Sequence, residues 1–256
     1  RGLGDVYKRQ IRMIRIYLGI EIKMLFRKKV YLALSILLPL VFYLLFTSII
    51  DIPSTQQEIF YKEYMYSMVT FSLTSFCLMS FPVDLIEEHQ IGWQKQLLNT
   101  RMSYPAYYMT KVFKTMIQFA LSIVVIFIVA VTVRNISMSM NEWLISGLTL
   151  WICASLFLSI GILLAQVNDL QKASSLGNIL YIVLAMVGGL WFPVSQFPEW
   201  LKVIAYKSPT YHMKQIALDI GKGEHFNWQS MLVLLIYSVI FVGIALLLKR
   251  KRGASK

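Results

Sequence analysis

The chain has 256 residues, 57% of them apolar and 15% charged, with a mean hydropathy of +0.61; these values exclude an ordinary soluble domain and point to a membrane class. The 25 Lys and Arg against 13 Asp and Glu give a net charge of +12. That charge is confined to particular connections, which excludes a nucleic-acid-binding surface and makes the lipid bilayer the expected partner.

Residues 1–12 begin without methionine and read as a non-native leader, with Met13 the expected start of one membrane domain over 13–256. From Ile11 to Lys29 the apolar residues Ile11, Ile14, Leu18, Ile22 and Leu25 recur at helical spacing among Arg12, Arg15, Lys23, Arg27 and Lys28. Such a basic amphipathic helix is expected to lie along the inner membrane surface. Six long uncharged stretches then follow, predicting transmembrane helices at about 30–50, 64–83, 115–133, 143–167, 173–192 and 226–248. About 20 residues of helix cross a hydrocarbon core of about 30 Å, and continuous rather than alternating apolar runs predict helices, not a barrel.

Pro39 falls inside the first span, and a short acidic outer loop is expected at 51–63. The second span is hydroxyl-rich, carrying Ser67, Thr70, Ser72, Thr74, Ser75 and Ser80. Two readings stand side by side: helix-to-helix hydrogen bonding, or one face of a path for an amphipathic substrate lined by Ser67, Thr70, Thr74 and Asn178 of the fifth span. A long inner connection is predicted at 84–114, then tight joins between the third, fourth and fifth spans. Beyond Trp191 the density of prolines and aromatics predicts short re-entrant helices at the outer interface. The segments assigned to the inner side hold 16 Lys and Arg and those assigned to the outer side hold 6, placing both termini in the cytoplasm. Cys77 and Cys153 fall inside spans and read as small buried residues rather than a disulfide or metal pair.

No phosphate-binding loop of the Gly-x-x-x-x-Gly-Lys-Ser/Thr type occurs, the three histidines fit no metal spacing, and no nucleophile and base can be paired. The chain is therefore expected to be no enzyme, with no cofactor or metal of its own. The spans also lack the charged groups that ion-coupled carriers use. Energy must then enter from a partner, and the inner connection is the natural port. There, Glu87 and Glu88 stand below the second span, followed by a helix-breaking Gly92 and a bulky Trp93, a pattern suited to a short helix seated in a partner's groove.

In this stretch Glu88, Gly92, Trp93, Thr100 and Lys111 resemble a motif of the ABC-2 type permease family, although His89 and Arg101 depart from it. A second block, Gly188-Gly189-Leu190-Trp191-Phe192-Pro193, then Phe197-Pro198, then Pro209-Thr210-Tyr211-His212, resembles the family's signature at the outer end of the fifth span, especially in its bacterial multidrug-type branch. The resemblance implies an all-helical exporter subunit in the cell membrane, a second permease copy as homodimer or related heterodimer, and a separate cytoplasmic ABC ATPase carrying ATP and Mg. It further implies coupling to that ATPase through Glu87, Glu88, Gly92 and Trp93, and an outer gate at Gly188, Gly189, Pro193 and Pro198. The function expected is ATP-driven export of a drug, lipid, peptide or similar amphiphile. The alternatives are a secondary carrier or channel and a non-transporting immunity or structural membrane protein.

Overall fold

The structure, a computed structural model, describes residues 3–27, 29–50, 52–100 and 102–254, with side chains described from residue 13 to residue 251 apart from residue 29. Among them all regular structure is helical. The basic amphipathic sequence forms α1 (Leu3–Arg27). Its buried face carries Tyr17, Glu21 and Leu25, while Ile16, Ile20 and Phe26 face outward. The first span is α2 (Lys29–Ile49), with Pro39 inside it.

The second span departs from expectation. It begins at Ser54 as α3 (Ser54–Ser75), passes through a π-helical turn at Phe76–Ser80 and ends as α4 (Phe81–Gln90). Most of the outer loop expected at 51–63 is therefore helix. Pro82 explains the widened turn: it offers no N–H to the carbonyl of Leu78, and its ring would crowd that carbonyl in a regular α-helix. The Phe81 N–H instead reaches back to the Phe76 carbonyl. Of the second span's most apolar stretch 83% is buried, against 11% to 56% for the other five, so the others gather around it.

Gly92, at φ +77°, ends α4 in the left-handed conformation that glycine favours, and α5 (Trp93–Leu98) follows at once. The third span is α6 (Tyr104–Arg134), eleven residues longer at its start than the sequence pattern suggests. The connection expected at 84–114 thus shrinks to 91–103, with α5 inside it. Hydrophobic periodicity missed this because Lys111 and Lys114 interrupt the apolar run without interrupting the helix.

The fourth span, α7 (Met140–Ala165), opens with a capping box between Ser139 and Glu142. The fifth is α8 (Leu170–Val187), capped by Asp169, and the sixth is α11 (Trp228–Ala254). Gly161 of α7 and Gly177 of α8 press against the π turn. A Cβ on Gly161 would stand 2.5 Å from the Cys77 carbonyl oxygen, and one on Gly177 would meet the Leu78 oxygen closer still. Glycines here let two helices approach carbonyls that the π turn leaves poorly paired. Cys77 and Cys153 are buried and free, and the Cys77 thiol faces the Ala154 carbonyl at 3.6 Å.

Between the fifth and sixth spans lie a 3-10 turn at Val194–Gln196, α9 (Glu199–Ala205) and α10 (Pro209–Gly221). The prolines open these elements, at Pro193, Pro198 and Pro209. The last of the three is mostly interior and packs on α3, α7 and α11.

Candidate functional site: a buried charge network at the inner end

Three helices bring ionised side chains together at the end of the bundle where the sequence places the cytoplasm. From α1 come Tyr17 and Glu21, one turn apart; from α4 come Asp84 and Glu88; from α6 come Tyr107, Lys111 and Lys114. Each set recurs at three- or four-residue spacing and so shares one helix face. The Lys111 ammonium bridges Glu21 Oε1 at 2.6 Å and Glu88 Oε1 at 2.5 Å. Lys114 bridges Asp84 Oδ2 at 2.5 Å and Glu21 Oε2 at 3.2 Å. The phenols of Tyr107 and Tyr17 donate to Glu88 Oε2 at 2.7 and 3.2 Å, and the two rings stack with Lys111 Nζ within 5.9 Å of both.

The network is out of solvent: Glu21 is 0% exposed, Lys111 2% and Glu88 8%. Burial opposes the ionisation of Glu21, but the ammonium groups of Lys111 and Lys114 outweigh it and hold the carboxyl below its ordinary range. Burial, reinforced by the Glu21 and Glu88 carboxylates, pushes the Tyr17 phenol far upward, so it remains a donor. Ion pairs of this kind add little net stability over an apolar core, yet losing one member is costly. What they provide is register. The interfacial helix is locked to the inner ends of the second and third spans.

This placement corrects one expectation. Glu88 is not an exposed carboxylate awaiting a partner but is consumed within the fold by Lys111 and two tyrosines. Glu87 and Trp93 are half-buried beside it, and Trp93 packs on the core. His89 and Gln94 share a 2.8 Å hydrogen bond across Gly92, fixing α5 against α4. Glu21, Tyr17, Asp84 and Lys114 were missed as site residues in the sequence reading. The signal was present for Glu21, which interrupts the stripe of Ile14, Leu18 and Leu25 from within.

The residues expected along a substrate path do not come together. Ser67, Thr70 and Thr74 are buried inside the helix bundle, whereas Asn178 is exposed on α8. Three of the second span's hydroxyls, those of Ser72, Thr74 and Ser75, donate to helix carbonyls, whereas Thr70 Oγ1 is buried with no partner among the described residues. Thr74 donates to the Thr70 carbonyl at 2.7 Å, Ser72 to the Ser35 carbonyl of α2 at 2.6 Å, and Ser122 of α6 to Ser72 Oγ at 2.7 Å. At Ser72 the bonds to α2 and α6 are helix-to-helix contacts, as the packing reading expects.

At the outer end, Gly188 and Gly189 sit where α8 ends against the start of α10. A Cβ on Gly188 would collide with Thr210 Oγ1, and Gly189, at φ +68°, presses on Val194. Thr210 Oγ1 donates to the Leu184 carbonyl at 2.9 Å. Lys214, 1% exposed, donates to the Gly189 carbonyl at 3.1 Å and pairs with Glu63 at 3.2 Å. Among the described residues no group of His, Cys, Asp and Glu could hold a metal ion.

Six helices long and apolar enough to cross a bilayer, with an amphipathic first helix tied to them by buried charge, define a multi-pass membrane protein. The ABC-2 type transporter family matches residues 13–221, and the chain belongs to that family. It is also similar to a Bacillus subtilis (strain 168) protein named "Putative transport permease YvfS", with 28% identity over 234 residues, covering 91% of this chain and 96% of that one.

Proposed function

We propose that this protein is the permease subunit of an ATP-driven exporter of amphipathic molecules, working as a pair of permease copies with a separate cytoplasmic ABC ATPase that carries ATP and Mg. Both termini lie in the cytoplasm of a bacterial cell. The carrying observation is the network of Glu21, Glu88, Lys111, Lys114 and Asp84, which makes α1, α4 and α6 one rigid body immediately beside α5. A push received at α5 and Trp93 therefore passes to the second and third spans, and to the interfacial helix, without being lost in a flexible loop.

Coupling is thus assigned to two layers. Glu87, Gly92 and Trp93 with α5 meet the ATPase, and Glu88 transmits within the permease. The exposed side of α8, with Asn178, is the lining offered to the cargo, and the buried Ser67, Thr70 and Thr74 hold the second span behind it. Gly188, Gly189, Pro193 and Pro198 close the outer end.

The test is to purify the permease with its ATPase and compare co-elution and substrate-stimulated hydrolysis for wild type, Trp93→Ala, Glu88→Gln and a control, Lys62→Ala. The expected result is loss of co-elution for Trp93→Ala, and retained co-elution with uncoupled hydrolysis for Glu88→Gln. If both behave like the control, the coupling assignment is wrong.

A further inference from the structure

A cavity of about 500 Å³ lies between the end of α1, the start of α2, the π turn with α4, and α6. Its size is that of a small-molecule site. At its mouth Val30 is 74% exposed, so it reaches the protein's outer surface where the interfacial helix meets the first span. The Lys114–Asp84 pair forms one end, and Leu32, Met79 and Val83 line the apolar part.

Three polar side chains on its wall, Gln118, Ser80 and Tyr31, have no hydrogen-bond partner among the described residues. Gln118 is 5% exposed and Ser80 9%. A buried carboxamide and hydroxyl are normally satisfied, and leaving them open is unfavourable. Gln118 lies one helical turn beyond Lys114, about 6 Å further along α6 into the apolar layer. Polar groups at such depth face something that bonds to them.

We infer that this cavity binds a single-chain amphiphile with an uncharged hydrogen-bonding head, such as a glycerol ester, drawn from the inner leaflet. The head is assigned as uncharged because the open groups on the inner wall are neutral and Lys114 already holds Asp84 and Glu21, while the other cation of the lining, Arg27, is exposed and lies outside the buried part. The open groups, an amide and two hydroxyls, each donate and accept, matching hydroxyls and an ester carbonyl. The chain then lies along Leu32, Met79 and Val83. On the transport reading, on which only this last step rests, the site is where cargo is collected, next to the charge network that moves with α5.

The experiment measures binding of radiolabelled monoolein to the purified permease alone, with unlabelled monoolein, oleate and oleylamine as competitors. Because no ATPase is present, failure of this site and failure of the transport reading are told apart. Saturable binding is expected, with monoolein the best competitor. Gln118→Leu should weaken it roughly tenfold through the lost hydrogen bond. Val83→Trp, which fills the cavity, should abolish it, and Val124→Trp in the separate groove between α6 and α7 should leave it unchanged. Gel filtration and thermal unfolding report folding, and Ser80→Ala replaces Gln118→Leu if the latter does not fold. Absence of saturable binding, equal competition by oleate or oleylamine, or wild-type affinity in the cavity variants would overturn the assignment.

Discussion

Removing the Lys111 ammonium tests the charge network most directly. Lys111 is 2% exposed and serves two carboxylates, Glu21 at 2.6 Å and Glu88 at 2.5 Å. In Lys111→Met, Glu21 keeps Lys114 at 3.2 Å, but Glu88 keeps only the hydroxyls of Tyr17 and Tyr107. An uncompensated buried charge of this kind costs about 3–5 kcal/mol. Glu21→Gln is milder, because Lys111 retains Glu88 and Lys114 retains Asp84. Neutralising Glu88 as well should restore much of the loss, since the orphaned charge is gone: Lys111→Met with Glu88→Gln is expected to be more stable than Lys111→Met alone. Denaturant or thermal unfolding of the purified permease gives all four corners of the cycle. The partly exposed i,i+4 pair Lys62–Glu58 serves as reference and is expected to change stability by no more than about 1 kcal/mol. If Lys111→Met costs no more than Lys62→Ala, or if the second substitution deepens the loss, the network does not hold α1 to the bundle.

Gly161→Ala and Gly177→Ala, which drive a Cβ against the carbonyls of the π turn, should each cost about 1–3 kcal/mol, while Gly147→Ala, whose Cβ would meet the Phe127 side chain at 3.4 Å, should be tolerated; thermal unfolding decides. Thr70→Leu should lower abundance together with transport, as expected of a buried helix contact, whereas Asn178→Ala should alter transport at unchanged abundance, and a Thr70→Leu protein made at normal levels would reinstate the path reading. Reporter fusions should place residues 91–103 inside and 198–225 outside, and the reverse pattern would invert the topology. Glu21 has a folded pKa below its ordinary 4.5, so its contribution is complete above that value and is lost as pH falls through the lower folded value. The Glu21 contribution should accordingly fall with acid only below about pH 4.5, and Glu21→Gln should flatten that part of the curve.

Six spans, their order, the interfacial helix and the glycine break at Gly92 were legible in the sequence, because a hydrocarbon solvent demands long apolar helices and amphipathic stripes obey helical periodicity. The family's residues around Gly188, Pro193 and Pro209 were legible for a similar reason, since glycine and proline act through their own backbone. The reach of α6 down to Tyr104 was hidden, because hydropathy stops at the first lysine whether or not the helix does. Hidden too was the fate of Glu88. In sequence it is a carboxylate below a span, equally suited to a partner or to the protein's own interior. Only the packing of α1 and α6 on α4 decided between them, by bringing Lys111 from 23 positions away and Tyr17 from 71 positions away onto the same carboxylate. The serines and threonines of the second span were undecided on the same grounds: a hydroxyl's role is set by which helix stands opposite, and that is a property of the tertiary structure alone.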